Sequence, residues 1–407
     1  MNRKIILYTV IALLLLLGAA AFFMADRIDR ARTISTLFTG AEQLKNFPRL
    51  HKIFPTTEMA PAPFAKPFPI AARQIGLPES FTFKGKTWNT LEFLGLIDTA
   101  ALLVLKDGEI VHEQYRATGG EQVQWMSMSV AKSFISALLG IAIEEGHIGS
   151  IEEPISDYVP TLRGSAYDGV RIKDVLQMSS GASWNEDYND PESDINRFAR
   201  IFALGGSMND FTATLQPDTE PGVYNKYNST DTQALSMLLT QATGRSVTDY
   251  MVEKLYHPLG AESPGYWLTD SEGMEMGFAG LNLTARDYAK LGELYRNGGK
   301  FEGQQIVPNA WVRASITPDG PHLMPGEDNP LSNYPWGYGY QWWVPSAETD
   351  DFSAVGVYNQ FIYVSPKNAM TVVMLSANRG YGASPDGATN YEFEAAEFLR
   401  TLVETQN

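Results

Sequence analysis

Strand-forming runs stand toward the two ends of this chain with helical periodicity between them, and that distribution narrows the fold more than any single motif. Ala101-Leu-Leu-Val-Leu105 and Glu109-Ile-Val-His-Glu-Gln-Tyr115 flank Lys106-Asp107-Gly108. Asp-Gly between two apolar-rich runs is a strong hairpin signal, because both central positions need positive φ. Strand character returns late, in the aromatic and β-branched runs Tyr338–Val344, Phe361–Val364 and Met370–Leu375. Between them, Phe134, Ile135, Leu138, Leu139 and Ala142 recur at helical spacing, and Gly146 ends that element. Further helices are expected at Ile172–Gln177, Asp231–Thr243, Val247–Leu255 and Thr284–Asn297, with Glu392–Val403 as a closing amphipathic helix. The pattern specifies an α+β fold. One antiparallel sheet forms from N- and C-terminal strands, flanked by helices, with an inserted mainly helical subdomain.

The N-terminus carries a different signal. Ile5 to Met24 is a 20-residue stretch without charge, preceded by Arg3 and Lys4. Twenty residues at about 1.5 Å rise cover about 30 Å, the thickness of a bilayer core. Residues 1–25 are therefore read as a transmembrane signal anchor. The basic pair would hold the N-terminus in the cytoplasm and the remainder on the periplasmic or extracellular side. Ala19-Ala20-Ala21 offers a small-residue cleavage site, so a secreted form is the alternative. Pro55, Pro61, Pro63, Pro67 and Pro69 make residues 26–75 read as a stalk and Pro-rich tether. Residues 76–407 are then the folded domain.

Composition closes several routes. The 31 Lys+Arg against 47 Asp+Glu give a formal charge of −16, which argues against a nucleic-acid partner. The absence of cysteine excludes disulfides, thiolate metal sites and cysteine nucleophiles. His51, His112, His147, His257 and His322 lack metal-ligand spacing, and no Gly-x-Ser-x-Gly elbow or phosphate loop occurs. No metal and no cofactor is implied, and the oligomeric state is left open.

The chemistry points to Ser129-Val-Ala-Lys132 at the start of the apolar helix. Residues three apart share a helix face, so the lysine reaches the serine hydroxyl, which needs a neighbouring base to become a nucleophile. About a hundred residues on, Tyr227-Asn228-Ser229 leads into a helix. Tyr227 would share a proton with Lys132 and Ser129, and Ser229 would hydrogen-bond the lysine. Each also has a plain structural reading: Ser129 and Ser229 as helix caps, Lys132 as a solvated cation, Tyr227 as a core aromatic. Tyr295-Arg-Asn297 has the same Tyr-x-Asn form, but it falls late in an expected helix and is read as coincidence.

With these motifs in register, the chain resembles the β-lactamase-related serine hydrolases, the class C β-lactamase and penicillin-binding-protein-like superfamily. Within it the resemblance is to the 6-aminohexanoate-dimer hydrolase and esterase branch. It covers about residues 90–405 and includes Asp174-Val-Leu-Gln-Met-Ser-Ser-Gly181, Trp184-Asn-Glu-Asp-Tyr188, Pro258-Leu-Gly260 and Gly280-Leu-Asn-Leu-Thr-Ala-Arg-Asp287. Trp336-Gly-Tyr-Gly339 and Gly356-Val-Tyr-Asn-Gln360 complete the series. It implies a β-lactamase/transpeptidase-like fold, with Ser129 as acylated nucleophile and Lys132 and Tyr227 activating it. It also implies an oxyanion hole from the backbone amides of Ser129 and Val357. Tyr188, Ser229, Trp336 and Gly356 would line the substrate pocket.

One departure bears on substrate. Where β-lactamases carry Lys-Thr-Gly or His-x-Gly, this chain has Ala354-Val355-Gly356, with no cation to meet a substrate carboxylate. The expected substrates are therefore small esters or linear amides. Two other readings stand beside this one: a penicillin-recognising D-Ala-D-Ala carboxypeptidase or β-lactamase, and a noncatalytic envelope binding or scaffold protein on the same fold.

Overall fold

Asp107 and Gly108 adopt φ of 51° and 81°, the left-handed geometry a two-residue hairpin demands. They join β2 (Thr99–Lys106) to β3 (Glu109–Tyr115), with Lys106 opposite Glu109. In this computed structural model, which describes residues 42–116, 120–384 and 387–406 with Tyr8, Ile11, Gly18, Ala19, Ile34, residues 36–38 and Gly40, the hairpin edges a seven-stranded antiparallel sheet. The other five strands are β7 (Gly337–Tyr338), β8 (Trp343–Val344), β9 (Phe352–Gly356), β10 (Gln360–Ser365) and β11 (Met370–Ser376). The order is β7-β8-β9-β10-β11-β2-β3, so strands from both parts of the domain meet at β11 and β2.

Alternation along the central strands sorts the core into two faces. Leu102, Val104, Val372 and Met374 pack with Phe398, Leu399 and Leu402 of the closing helix, Glu392–Glu404. Leu103, Leu105, Val373 and Leu375 turn to the opposite face, toward Leu291 and Leu294 of Ala285–Arg296 and the helical subdomain. That subdomain is built around α1 (Ala131–Glu144), which is buried from Ala131 through Ala142, and α3 (Ser229–Thr243), buried from Ser229 through Leu239. A helix apolar on all sides belongs inside a large domain. Between them in the chain lies α2, Asp194–Leu204, capped by Ser193.

The stalk and tether are corrected here. Thr56–Met59 forms β1, the outer strand of a second sheet whose other members are Gly265–Leu268 (β5), Leu281–Leu283 (β6) and Trp125–Met126 (β4). Thr57 lies opposite Trp267 and Met59 opposite Gly265. Leu37, Phe47, Leu50, Phe54, Met59 and Phe68 are buried in the main core. An edge strand tolerates flanking prolines because one of its sides needs no ladder partner, so the Pro-rich composition does not keep this segment off the domain. A second difference concerns Tyr338–Val344. The run folds back between β7 and β8, with Gln341 at a φ of 63°. The anchor read at Ile5–Met24 lies outside the described residues but for four positions. Among the described residues no helix is long and apolar enough to cross a membrane.

Candidate active site

The first turns of α1 and α3 face each other, and that meeting assembles the site. Ser129 sits in a 3₁₀ turn, Met128–Val130, immediately ahead of α1. Met128 precedes it at a φ of 47°, a left-handed conformation costly for a side chain of that kind. The turn leaves Ser129 buried at 7% exposure. Lys132 follows in the first turn of α1 at 1% exposure, its Nζ 2.8 Å from Ser129 Oγ. The same nitrogen lies 3.0 Å from the Phe278 carbonyl and 3.3 Å from Ser229 Oγ. Burial pushes the lysine down from its ordinary range to about 7, although the Glu186 and Asp231 carboxylates pull the other way. A neutral amine is therefore accessible near neutral pH.

Tyr227 precedes α3, which Asn228 caps by accepting from the Thr230 amide. Its ring lies 5.0 Å from Lys132 Nζ and stacks on Trp343 at 5.5 Å. Burial raises the phenol well above its usual range, the nearby Glu186 charge adds to that, and a hydrogen bond with the Ser129 side chain opposes it. The two groups beside Ser129 are thus driven apart: the lysine toward its neutral amine, the phenol toward its protonated form. Groups driven apart in this way can serve as a base and a proton donor.

Ser229 is buried against Lys132 and donates through Oγ to Glu186 Oε1 at 2.7 Å. Tyr188 donates to the same oxygen at 2.7 Å, so it borders the cluster through Glu186. Trp336 packs against Tyr334, Trp343 and Phe393; the ring that touches Tyr227 is Trp343. Tyr295 stands apart from the cluster, buried against Trp342.

Gly356 ends β9 beside Ser129. A Cβ there would stand 2.8 Å from the Ser127 carbonyl and 2.9 Å from the Ser129 nitrogen. Both are backbone atoms, so no side-chain rotation relieves the clash. Val357 follows in the turn that Tyr358 and Asn359 close, each at a φ of 64°. Gly356→Ala should therefore displace the Ser129 turn. The expected result is a fluorophosphonate labelling rate about 10²-fold lower, and a wild-type rate would show that the turn accommodates the methyl group.

Three participants escape sequence reasoning. Glu186 is one of several acids in a polar loop, with Asp187, Asp190, Glu192 and Asp194 nearby. Phe278 contributes only a carbonyl, which no side-chain pattern marks. Asp231 accepts from Ser180 Oγ at 2.7 Å, Asn228 Nδ2 at 2.9 Å and Tyr167 OH at 3.0 Å. Burial pushes its acid up to about 8. Among the described residues no cluster of His, Asp and Glu could hold a metal ion.

Comparison with known proteins identifies the family. The Beta-lactamase family model matches residues 94–397. The chain is 30% identical over 287 residues to the 6-aminohexanoate-dimer hydrolase of Paenarthrobacter ureafaciens, covering 69% of this chain and 72% of that protein. A structure provisionally assigned as a 6-aminohexanoate-dimer hydrolase from Bacillus anthracis superposes with a TM-score of 0.77 at 23% identity, covering 90% of this chain and 96% of its own. EstCE1, a hydrolase with promiscuous acyltransferase activity, shares the fold with a TM-score of 0.59 at 18% identity, over 77% of this chain and 95% of its own. This chain belongs to the Beta-lactamase family, as a serine hydrolase of β-lactamase/transpeptidase-like fold related to the 6-aminohexanoate-dimer hydrolases.

Proposed function

We propose that the chain hydrolyses small esters or linear amides through an acyl-enzyme on Ser129. The observation that carries this reading is the 2.8 Å contact between Ser129 Oγ and a buried Lys132 amine whose pKa lies at about 7. In the neutral form Lys132 takes the hydroxyl proton as Oγ attacks the substrate carbonyl. The developing oxyanion is met by the backbone amides of Ser129 and Val357, a role favoured by the close approach of Gly356 to the Ser129 nitrogen. Tyr227 hands its phenolic proton to the departing alkoxide or amine and is reprotonated by the Lys132 ammonium. Water then attacks the acyl group, and the same relay runs in reverse.

The substrate class follows from charge. Strand β9 presents Ala354-Val355-Gly356 beside Ser129, and the carboxylates felt at Tyr227 are Glu186 and Glu392. A substrate carboxylate, such as the one on a β-lactam, meets no cation from that strand. Tyr188, Trp336 and Trp343 are proposed as pocket walls. The Paenarthrobacter relative is named for hydrolysis of the 6-aminohexanoate dimer, a linear amide, which supports the same class here. We further propose that Ile5–Met24 anchors the enzyme in the cytoplasmic membrane, with residues beyond it on the periplasmic or extracellular side; the uncharged 20-residue run supports this. A panel of chromogenic p-nitrophenyl esters, linear amides and β-lactams tests the substrate reading. Ester or amide turnover well above β-lactam turnover is expected. Preferential β-lactam hydrolysis, or stable labelling by fluorescent penicillin, would overturn it in favour of a penicillin-recognising enzyme.

A further inference from the structure

We propose that Glu186 is a positioning residue that aims the Lys132 lone pair at the Ser129 hydroxyl, by committing the Ser229 hydroxyl as a donor. This rests on the reading of Lys132 as base and adds a reason why its free pair points the right way. Four donors converge on the Glu186 carboxylate. Ser229 Oγ and Tyr188 OH give to Oε1 at 2.7 Å each, and the Ser229 amide gives to Oε2 at 3.1 Å, beside Trp184 Nε1. Among the described residues no lysine or arginine forms an ion pair with it.

The consequence follows by counting hydrogens. Lys132 Nζ has three polar neighbours, the Phe278 carbonyl at 3.0 Å, Ser229 Oγ at 3.3 Å and Ser129 Oγ at 2.8 Å. A neutral amine offers two N–H groups and one lone pair. The carbonyl can only accept, so it takes one N–H. Ser229 has spent its only proton on Glu186, so toward Lys132 it can only accept, and it takes the second. The lone pair is left for the Ser129 O–H. Without an acceptor at Glu186, the Ser229 hydroxyl is free to turn its proton to the amine and occupy that lone pair. An N–H would then face Ser129, which is the wrong arrangement for removing a proton.

Charge acts in the same direction. The groups facing Lys132 are Glu186 from the loop, Asp231 from α3, the Tyr227 ring and the Phe278 carbonyl. Burial pushes Asp231 up to about 8, and of the two carboxylates Glu186 exerts the larger pull on Lys132. Glu186 is then the carboxylate that holds the lysine from falling further.

The test uses the full chain, p-nitrophenyl ester turnover and its pH profile. Glu186→Leu, which removes both the charge and the acceptor, is expected to lower kcat about 10–100-fold with a smaller change in KM. The acid limb of kcat/KM should move about one unit to lower pH, because a charge favouring the ammonium is gone. The double variant with Ser229→Ala should recover toward the rate of Ser229→Ala alone, since the misdirected hydroxyl is then absent. A merely structural Glu186 would give a multiplicative loss in the double variant and leave the acid limb in place; either result overturns the proposal. Should Glu186→Leu fail to fold by circular dichroism, Glu186→Asp carries the test. It keeps the charge and withdraws the acceptor, so kcat should fall with the limb unmoved, and a wild-type kcat would overturn it. Full activity of Lys132→Met would instead remove the underlying reading of the base.

Discussion

Ser129→Ala is expected to lower p-nitrophenyl ester turnover by about 10⁴-fold or more, with thermal unfolding close to wild type. The hydroxyl is a single oxygen whose contacts are polar, with Lys132 Nζ at 2.8 Å and the Tyr227 phenol. Removing it costs the fold little, because the residue sits in a turn held by neighbouring backbone and by the close approach of β9. What is lost is the atom proposed to carry the acyl group. The oxyanion amides and the pocket remain, so a small residual rate over water is expected. Equal rates for wild type and variant would remove Ser129 from the mechanism and return the choice to another nucleophile or to a noncatalytic protein on this fold.

Lys132→Met should lower kcat/KM by about 10²–10⁴-fold and abolish the acid limb expected of the wild type near pH 7. The sign follows from the form that works: the neutral amine is the base, burial lowers its pKa to about 7, and activity therefore rises through that pH. The same shift has a stability consequence. Unfolded lysine titrates at about 10.4, so between about pH 7 and 10.4 the unfolded state holds the extra proton. Stability then rises with pH across that window, by at most about 1.4 kcal/mol per pH unit from this group. Methionine is of similar length and carries no charge to desolvate, so the variant should lose that slope. Denaturant titrations of both proteins at pH 7 and 9 read the difference. A variant with wild-type rate and an unchanged acid limb would show that Lys132 is not the base.

The sites legible in the sequence are those whose geometry is local. Ser129 and Lys132 are three residues apart at a helix start, so their contact follows from helical spacing alone. Tyr227 and Ser229 are legible as a pair because they flank Asn228, the residue that caps α3. What brings the two pairs into contact is the packing of α1 on α3, and no local pattern reports that. Glu186 reaches Ser229 from a loop rich in acids, where composition cannot single out one carboxylate. Trp343 stacks on Tyr227 because Tyr338–Val344 doubles back through Gln341, a contact no local pattern reports. The sheet was readable from its hairpin and late strands, since alternation and Asp-Gly are short-range signals. The edge strand Thr56–Met59 was hidden by its proline neighbours, which read equally well as a tether until β5 is placed beside it.

Ser129 should carry a covalent acyl group during turnover. The direct measurement is rapid-quench mass spectrometry of the full-length protein during turnover of a slow p-nitrophenyl ester, with peptide mapping of the adduct. The account predicts a transient mass increase equal to the acyl group, located on Ser129 and absent from Ser129→Ala. Turnover by the wild type with the adduct on another residue would contradict it.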